Sequence, residues 1–439
     1  SLAAIAFILF AIDWFLLPLL VVFIMPTLLV KIYFADKLHQ RRLRQTALER
    51  RASYMSSLIT SDGAAKELRS FGIGDHLRAL YRKIRVSILA ERFLISRKST
   101  WSEILTTVLA TAGFFSAIAF IAIRPKAGQT KAGDITLFLI AFSQGFSMLQ
   151  GLASGISKLY QNSIFVSGLF ELFDLKPTMT DKESPAAMPS DHPLSLEVKG
   201  VSFAYPNTTV PVLKNISMRI PAGKIVAVVG LNGAGKTTLI KLLTRLYDPD
   251  SGAIFLDGVD IRDLRATEYR KKVCAVFQDF ERYHFTVKEN IHFGDIGMEG
   301  SDDAIHVAAR YAGADEFIQR LGSGYATMLG KSFEEGQDLS TGQWQKLAIA
   351  RALYSPAQIV ILDEATSAMD ALAEKEFFQS FRQRIGNKAA LIISHRVSAV
   401  DHADYIYVLS DGRIRQEGTH SVLIKENGDY ARLFKKDTE

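Results

Sequence analysis

The sequence predicts two unlike parts, an all-α bundle of helices long and apolar enough to cross a membrane, followed by an α/β domain. Three observations predict this division. Uncharged stretches about 20 residues long, the length a bilayer requires, are confined to the first third of the chain. A proline-bearing stretch without periodicity, Lys176 to Pro193, then interrupts the pattern. Beyond it, the β-branched run Ile225 to Val229 feeds a glycine-rich loop and then an amphipathic segment, a strand, a turn and a helix in succession. At 439 residues the chain also exceeds what one hydrophobic core usually serves.

Taken in order, the candidate spans are Trp14 to Phe34, with Lys31 its only charge, Ile104 to Ile123, and Ile135 to Ser157. Ahead of them, Leu2 to Ile12 is half a span that ends at the interface pair Asp13 and Trp14. With Ser1 leading straight into it, the chain is expected to be a fragment whose beginning is missing. Buried helices of a soluble core are the alternative, and three such runs so close together argue against it. Orientation follows from charge. About 16 Lys and Arg against about 6 acids between Lys31 and Lys98 mark that segment as cytoplasmic. The short loop from Arg124 to Asp134 is then outside, and the third span returns the chain to the cytoplasm.

The segment from Ala35 to Thr100 contains no proline, and its glycines are confined to Gly63, Gly72 and Gly74. Two long helices with a break near the middle are expected, arms reaching roughly 45 Å past the membrane at 1.5 Å per residue. A basic helical pair lying on anionic lipid is the alternative. The net charge of +6 gathers beside the apolar runs and not in an aromatic-interleaved strip, so a nucleic-acid partner is not expected. The single cysteine, Cys274, excludes an internal disulfide framework and suits a reducing compartment.

The loop after Val229 reads GLNGAGKTT: Gly230, Leu231, Asn232, Gly233, Ala234, Gly235, Lys236, Thr237, Thr238. Glycines let the backbone curl so that successive N–H groups, including those of Gly233, Gly235 and Lys236, face phosphate oxygens at a helix start. Lys236 is placed to neutralise the β- and γ-phosphates of ATP, and Thr237 to offer a hydroxyl to Mg²⁺. Ile359 to Leu362 reads as a buried parallel strand ending in Asp363 and Glu364. At such a strand end Asp363 is placed to hold Mg²⁺ through water, and Glu364 to act on the attacking water as general base.

LSTGQ, Leu339 to Gln343, lying between these two features, resembles the LSGGQ signature of the ATP-binding cassette (ABC) family, with Thr341 in place of the first glycine. The resemblance implies that Ser340, Gly342 and Gln343 cap the nucleotide held by a partner subunit. It implies further that Tyr205 stacks on adenine, that Gln278 touches Mg²⁺ and water, that Asp370 crosses between two nucleotide sites, and that His395 contacts the γ-phosphate. The implied fold is an exporter-type all-α transmembrane helical bundle, N-terminally truncated, in residues 1–173, a linker in 174–193, and an α/β P-loop ATPase domain with a helical subdomain in 194–439. Asp62 to Gly72 resembles a short transverse helix of the second intracellular loop. FQDF, Phe277 to Phe280, and the stretch Gly342 to Leu353 look similar to bacterial peptide and lantibiotic exporters.

The implied function is ATP-driven export across the bacterial inner membrane by a homodimer in contact with lipid. Spans that are mostly aliphatic and aromatic, with few polar groups such as Gln144 and Gln150, suggest an amphipathic substrate: a peptide, a lipid or a drug. A membrane-anchored regulatory ATPase, and a weakly active subunit of a heterodimer marked by Thr341, are the rival readings.

Overall fold

The computed structural model describes residues 5–8, 10, 15–123, 132–177, 179–189, 193–297, 301–331, 335–426 and 428–434. The chain divides into two compact units, Ser1–Lys176 and Pro177–Glu439.

The first unit is helical. Helix α1 spans Leu16–Thr60, α2 Asp62–Ser70, α3 Gly74–Ile123 and α4 Ala132–Phe173. At 1.5 Å per residue α1 and α3 are each roughly 70 Å long, so each expected arm is continuous with the apolar run beside it. The break in the cytoplasmic segment falls at Ser61 and at Phe71–Ile73, leaving α2 as the short helix expected there. The arms of α1 and α3 pack through Ala52, Met55, Ile84 and Ile88. They are tied by Gln45 Nε2 donating to Glu91 (2.8 Å) and by an ion pair between Glu49 and Arg92. Among the described residues no helix is long and apolar enough to cross a membrane. Trp14 and Arg124 to Lys131 lie outside the described residues, as do Asp13 and most of the expected half span, and several side chains within the apolar runs are likewise not described.

The second unit holds two sheets. Strands β1 (Leu196–Phe203), β2 (Leu213–Ile220), β4 (Ser251–Leu256) and β5 (Val259–Asp260) form an antiparallel sheet in the order β2-β1-β4-β5. Strands β3 (Ile225–Val229), β6 (Val273–Val276), β7 (Ile359–Asp363), β8 (Ala389–Ile393), β9 (Tyr405–Ser410) and β10 (Arg413–Gly418) form the main sheet in the order β10-β9-β3-β8-β7-β6. Its inner pairs are parallel, and every residue of β3, β7 and β8 is buried. Strands covered on both faces can be apolar throughout, which is why these three read as unbroken hydrophobic runs.

Helix α5 (Lys236–Leu243) follows β3 and packs on one face through Leu239, Ile240, Leu242 and Leu243. Beyond β6, α6 (Val287–His292), α7 (Asp302–Tyr311) and α8 (Thr341–Tyr354) assemble a helical layer around Trp344, Ile291, Ile305 and Leu347. Helix α9 (Ala371–Ile385) buries Phe377, Phe378 and Phe381 in the same core.

Residues 181–186, expected as linker, are bonded onto this unit. Ala186 N–H donates to Asp263 O (2.7 Å), and Asp181 Oδ1 accepts from Ala266 N–H (2.9 Å). The same Asp181 oxygen lies 3.6 Å from Arg245, a guanidinium only 1% exposed that also donates to Leu264 O at 2.6 Å.

Candidate functional site

Four parallel strands end at one edge of the main sheet, and their register sets the site. Val228 pairs with Ile393, Asp363 with Ile393, and Val276 with Leu362. The residues that follow these strands, Gly230, Asp363 and Glu364, His395, and Gln278, are thereby gathered at the edge where ligands of parallel sheets bind.

The glycine-rich loop departs from β3 at a point with no room for a side chain. A Cβ at Gly230 would overlap the Leu409 carbonyl oxygen, and one at Gly235, whose φ is +108°, would lie 2.7 Å from Leu213 Cδ2. Gly235 stands directly before α5, so Lys236 and Thr237 open that helix and their N–H groups belong to its unsatisfied first turn. Asn232 and Gly233 are exposed on the loop, Ala234 is buried, and the Ala234 N–H donates to Leu231 O at 3.2 Å.

Lys236 turns back over the loop. Its Nζ donates to Gly230 O (2.7 Å) and Leu231 O (3.2 Å) and lies 3.0 Å from His395 Nε2. Burial pulls the Lys236 ammonium below its usual pKa, opposed by the charges of Glu364 and Asp363. Thr237 Oγ1 donates to Asp363 Oδ2 at 3.2 Å. Asp363 is 2% exposed, and burial first, with the neighbouring Glu364 charge, pushes its carboxyl up to about 6. Glu364 accepts from Gln278 Nε2 at 3.0 Å and lies 3.1 Å from His395 Nε2. A neutral His395 either accepts from Lys236 or donates to Glu364 through that one nitrogen, not both. Its pKa is lowered by burial and by Lys236.

Tyr205 is half-buried beside α5. Its hydroxyl lies 3.1 Å from Thr238 Oγ1, its ring meets Phe203 and Tyr247 edge-on, and Lys241 Nζ sits 5.4 Å from the ring centre. Ser340, Thr341, Gly342 and Gln343 form a separate group at the start of α8. Ser340 Oγ accepts from Gln343 N–H, and Gln343 Oε1 accepts from Ser340 N–H (2.9 Å), a capping box. Thr341 is the first residue of that helix and keeps an ordinary negative φ, so no glycine conformation is needed there. Asp370 caps α9 by accepting from Ala373 N–H at 2.8 Å.

Three polar residues that the sequence did not single out stand behind the loop Glu364–Asp370. Glu374, 1% exposed, accepts from Thr366 Oγ1 (2.6 Å), Ser398 Oγ (2.8 Å) and Arg396 (3.0 Å). Arg396, next to His395, also donates to Ser367 O and Met369 O. Gln345, 2% exposed, bonds the same loop from α8. The one sequence signal is the position of Glu374, three, four and seven residues before Phe377, Phe378 and Phe381, on their helix face.

A basic side chain laid over a glycine loop at a helix start, with two carboxylates opposite, is an arrangement for binding and cleaving a phosphate chain. The ABC transporter family profile matches residues 213–367, which include the loop, the signature and both carboxylates. The chain is 34% identical to the subtilin transport ATP-binding protein SpaT of Bacillus subtilis over 89% of its length and 63% of the relative's. It is 31% identical to the nisin transport ATP-binding protein NisT of Lactococcus lactis subsp. lactis, over 89% and 65%. It thus spans less than two thirds of these two relatives. With an ATP-dependent lipid A-core flippase of Chromobacterium violaceum it shares 32% identity over 96% of its own length and 70% of the flippase. Among solved structures, a bacterial Atm1-family ABC exporter with ATP bound superposes with a TM-score of 0.84 at 27% identity, over 95% of this chain and 72% of that one. Sequence, site and fold agree: the chain belongs to the ABC transporter family.

Proposed function

We propose that the protein hydrolyses ATP to export an amphipathic substrate across the bacterial inner membrane, as a dimer of two identical subunits. The observation that carries the reading is the convergence of Lys236, Thr237, Asp363, Gln278, Glu364 and His395 at one sheet edge. Lys236 is the group to meet the β- and γ-phosphates, exchanging its carbonyl partners for phosphate oxygens of higher charge. Glu364, aimed by Gln278 and His395, is the group to orient the attacking water and take its proton, and His395 to contact the γ-phosphate.

The residues present fit Mg²⁺. Among the described residues no three His, Cys, Asp or Glu side chains gather as a metal site. The Thr237 hydroxyl and the Asp363 carboxylate nevertheless make a hard oxygen pair that leaves places for phosphate and water oxygens, as this ion prefers. When bound, Mg²⁺ neutralises charge on the phosphate oxygens. Gln278, whose amide now donates to Glu364, is the third residue assigned to it.

The dimer reading rests on division of labour within the chain. Among the described residues Ser340, Gly342 and Gln343 form no hydrogen bond with the Lys236 cluster, while their helix start offers a hydroxyl and first-turn N–H groups to an anion. We assign them, with Asp370, to the nucleotide of the partner subunit, and Tyr205 to adenine. Thr341 opens α8 at a negative φ that any residue adopts, so its replacement of glycine imposes no backbone strain and two competent sites are favoured. The apolar runs 14–34, 104–123 and 135–157 support the membrane assignment and an amphipathic cargo. The names of the relatives, transporters of subtilin and nisin and flippases of lipid A-core, support the same class.

The test is ATP hydrolysis by the protein in lipid vesicles, wild type beside Glu364→Gln. Hydrolysis in the wild type is expected to fall by at least about 100-fold in the variant, with ATP still bound. An inactive wild type, or an active variant, refutes the assignment.

A further inference from the structure

Glu364 stands in a backbone conformation that its residue type disfavours. Its φ is +48°, in the left-handed region, which costs a residue with a Cβ about 1–2 kcal/mol. Such a conformation persists only where the surroundings hold it. On one side the Glu364 N–H donates to Ile393 O at 2.9 Å. On the other, the Glu364 carbonyl accepts from Ser367 N–H at 3.1 Å, a bond within the loop itself, and from Gln345 Nε2 at 3.3 Å, its tie to the helix opposite.

Gln345 does more than touch that carbonyl. The same amide nitrogen donates to Ser367 Oγ (3.0 Å), and Oε1 accepts from Ala368 N–H at 2.9 Å. Both donor hydrogens and the acceptor of one buried side chain are thereby spent on a single loop, residues 364–368. The main chains approach closely at the same place, since a Cβ on Gly342 would lie 3.0 Å from Ala368 O. Two independent contacts therefore fasten the first turns of α8 to the loop that begins at Glu364.

Resting on the ATPase reading, we infer that Gln345 is the positioning residue of the hydrolytic site, holding Glu364 in its left-handed conformation so that the carboxylate faces the γ-phosphate. It acts through Glu364, whose side chain leaves the backbone in a direction set by φ and ψ. Without Gln345 the Glu364 carbonyl keeps only the Ser367 N–H, a partner in the same loop that moves with it, so the residue relaxes toward an ordinary φ and the carboxylate moves out of line. A displacement of about 1 Å at such a group costs roughly 100-fold in rate.

The experiment compares wild type, Gln345→Leu, Glu364→Gln, the double variant and Ser367→Ala in the full chain in lipid vesicles. It reads kcat per nucleotide-binding site, with the sites counted by bound fluorescent ATP analogue, and KM for ATP. Gln345→Leu is expected to lower kcat roughly 10- to 100-fold with KM within about 3-fold, since binding groups are untouched. The double variant is expected to be no slower than Glu364→Gln alone, because residues acting through one another are not additive. Ser367→Ala, at an exposed position that folding tolerates, is expected to lower kcat about 3-fold, which keeps the test open should Gln345→Leu not fold. An unchanged kcat in both Gln345→Leu and Ser367→Ala, or losses that multiply in the double variant, overturns the inference while the ATPase reading stands. A wild type without activity removes that reading, and the positioning role with it.

Discussion

Replacing Glu374 by alanine tests the buried network behind the Glu364–Asp370 loop. The carboxylate is 1% exposed and accepts three hydrogen bonds, from Thr366, Ser398 and Arg396, at 2.6, 2.8 and 3.0 Å. Removing one partner of a buried ion pair costs about 3–5 kcal/mol when the other charge is stranded. Here the Arg396 side chain is 39% exposed and keeps its bonds to Ser367 O and Met369 O, so its charge rehydrates and the low end applies. A loss of about 3 kcal/mol is expected, and about half of that for Glu374→Gln, which keeps the shape but not the charge. At roughly 2–4 °C per kcal/mol for a unit of this size, the midpoint of the second unit should fall by about 6–12 °C. Calorimetry of the full chain in lipid, without nucleotide, reads this. The cycle with Arg396→Ala should show coupling of at least about 1 kcal/mol. A shift below about 2 °C, or full additivity in the cycle, would show that the network does not hold the loop.

Two further outcomes follow from geometry. Gly230→Ala, whose Cβ has no place beside the Leu409 carbonyl, should destabilise the second unit by about 3 kcal/mol, whereas Gly233→Ala, with open space around it but a φ of +82°, should cost only about 1–2 kcal/mol; equal thermal midpoints would contradict this. Asp404 is the pH-sensitive case. Burial raises its pKa, but the Ile225 N–H at 2.9 Å and the Arg382 and Lys224 charges outweigh this and leave it below the usual carboxylate value. A depressed carboxylate contributes stability that is present above its unfolded pKa and lost as pH falls through the folded one. Asp404→Asn should therefore cost about 1 kcal/mol at pH 7, a difference that shrinks below about pH 4. A gap between the two proteins that stays constant as pH falls from 7 to about 2 would rule out the charge as its source.

The parts of the site legible in the sequence are those that chemistry confines to a fixed spacing. The loop Gly230–Thr238 must be short, curled and followed by a helix, and Asp363 and Glu364 must terminate a buried strand; both constraints leave a local trace. The long arms were equally readable, because a proline-free stretch with helical spacing has few other solutions. Gln345 and Arg396 leave no such trace, and Glu374 only its place on the helix face of Phe377, Phe378 and Phe381. A glutamine in a helix reads as surface until the partner loop is folded against it, and its burial is a property of the tertiary fold alone. The same holds for the left-handed backbone of Glu364, which local propensity argues against, and for Thr341, whose helical position shows only once the capping box of Ser340 and Gln343 is in place.

The bonding of Asp181 to Ala266 and its approach to Arg245 decide where the second unit begins as a folding unit. A chain shortened to start at residue 194 keeps every strand and every nucleotide-facing residue. It leaves Arg245 with Asp248, at 3.4 Å, as its remaining carboxylate, and the Ala266 N–H without its acceptor. Arg245 lies just past the end of α5, the helix that Lys236 opens. Such a fragment would carry its defect at the far end of the phosphate-binding helix, and a weak activity measured on it would report the cut and not the enzyme. A fragment meant to represent the nucleotide site has to retain Asp181.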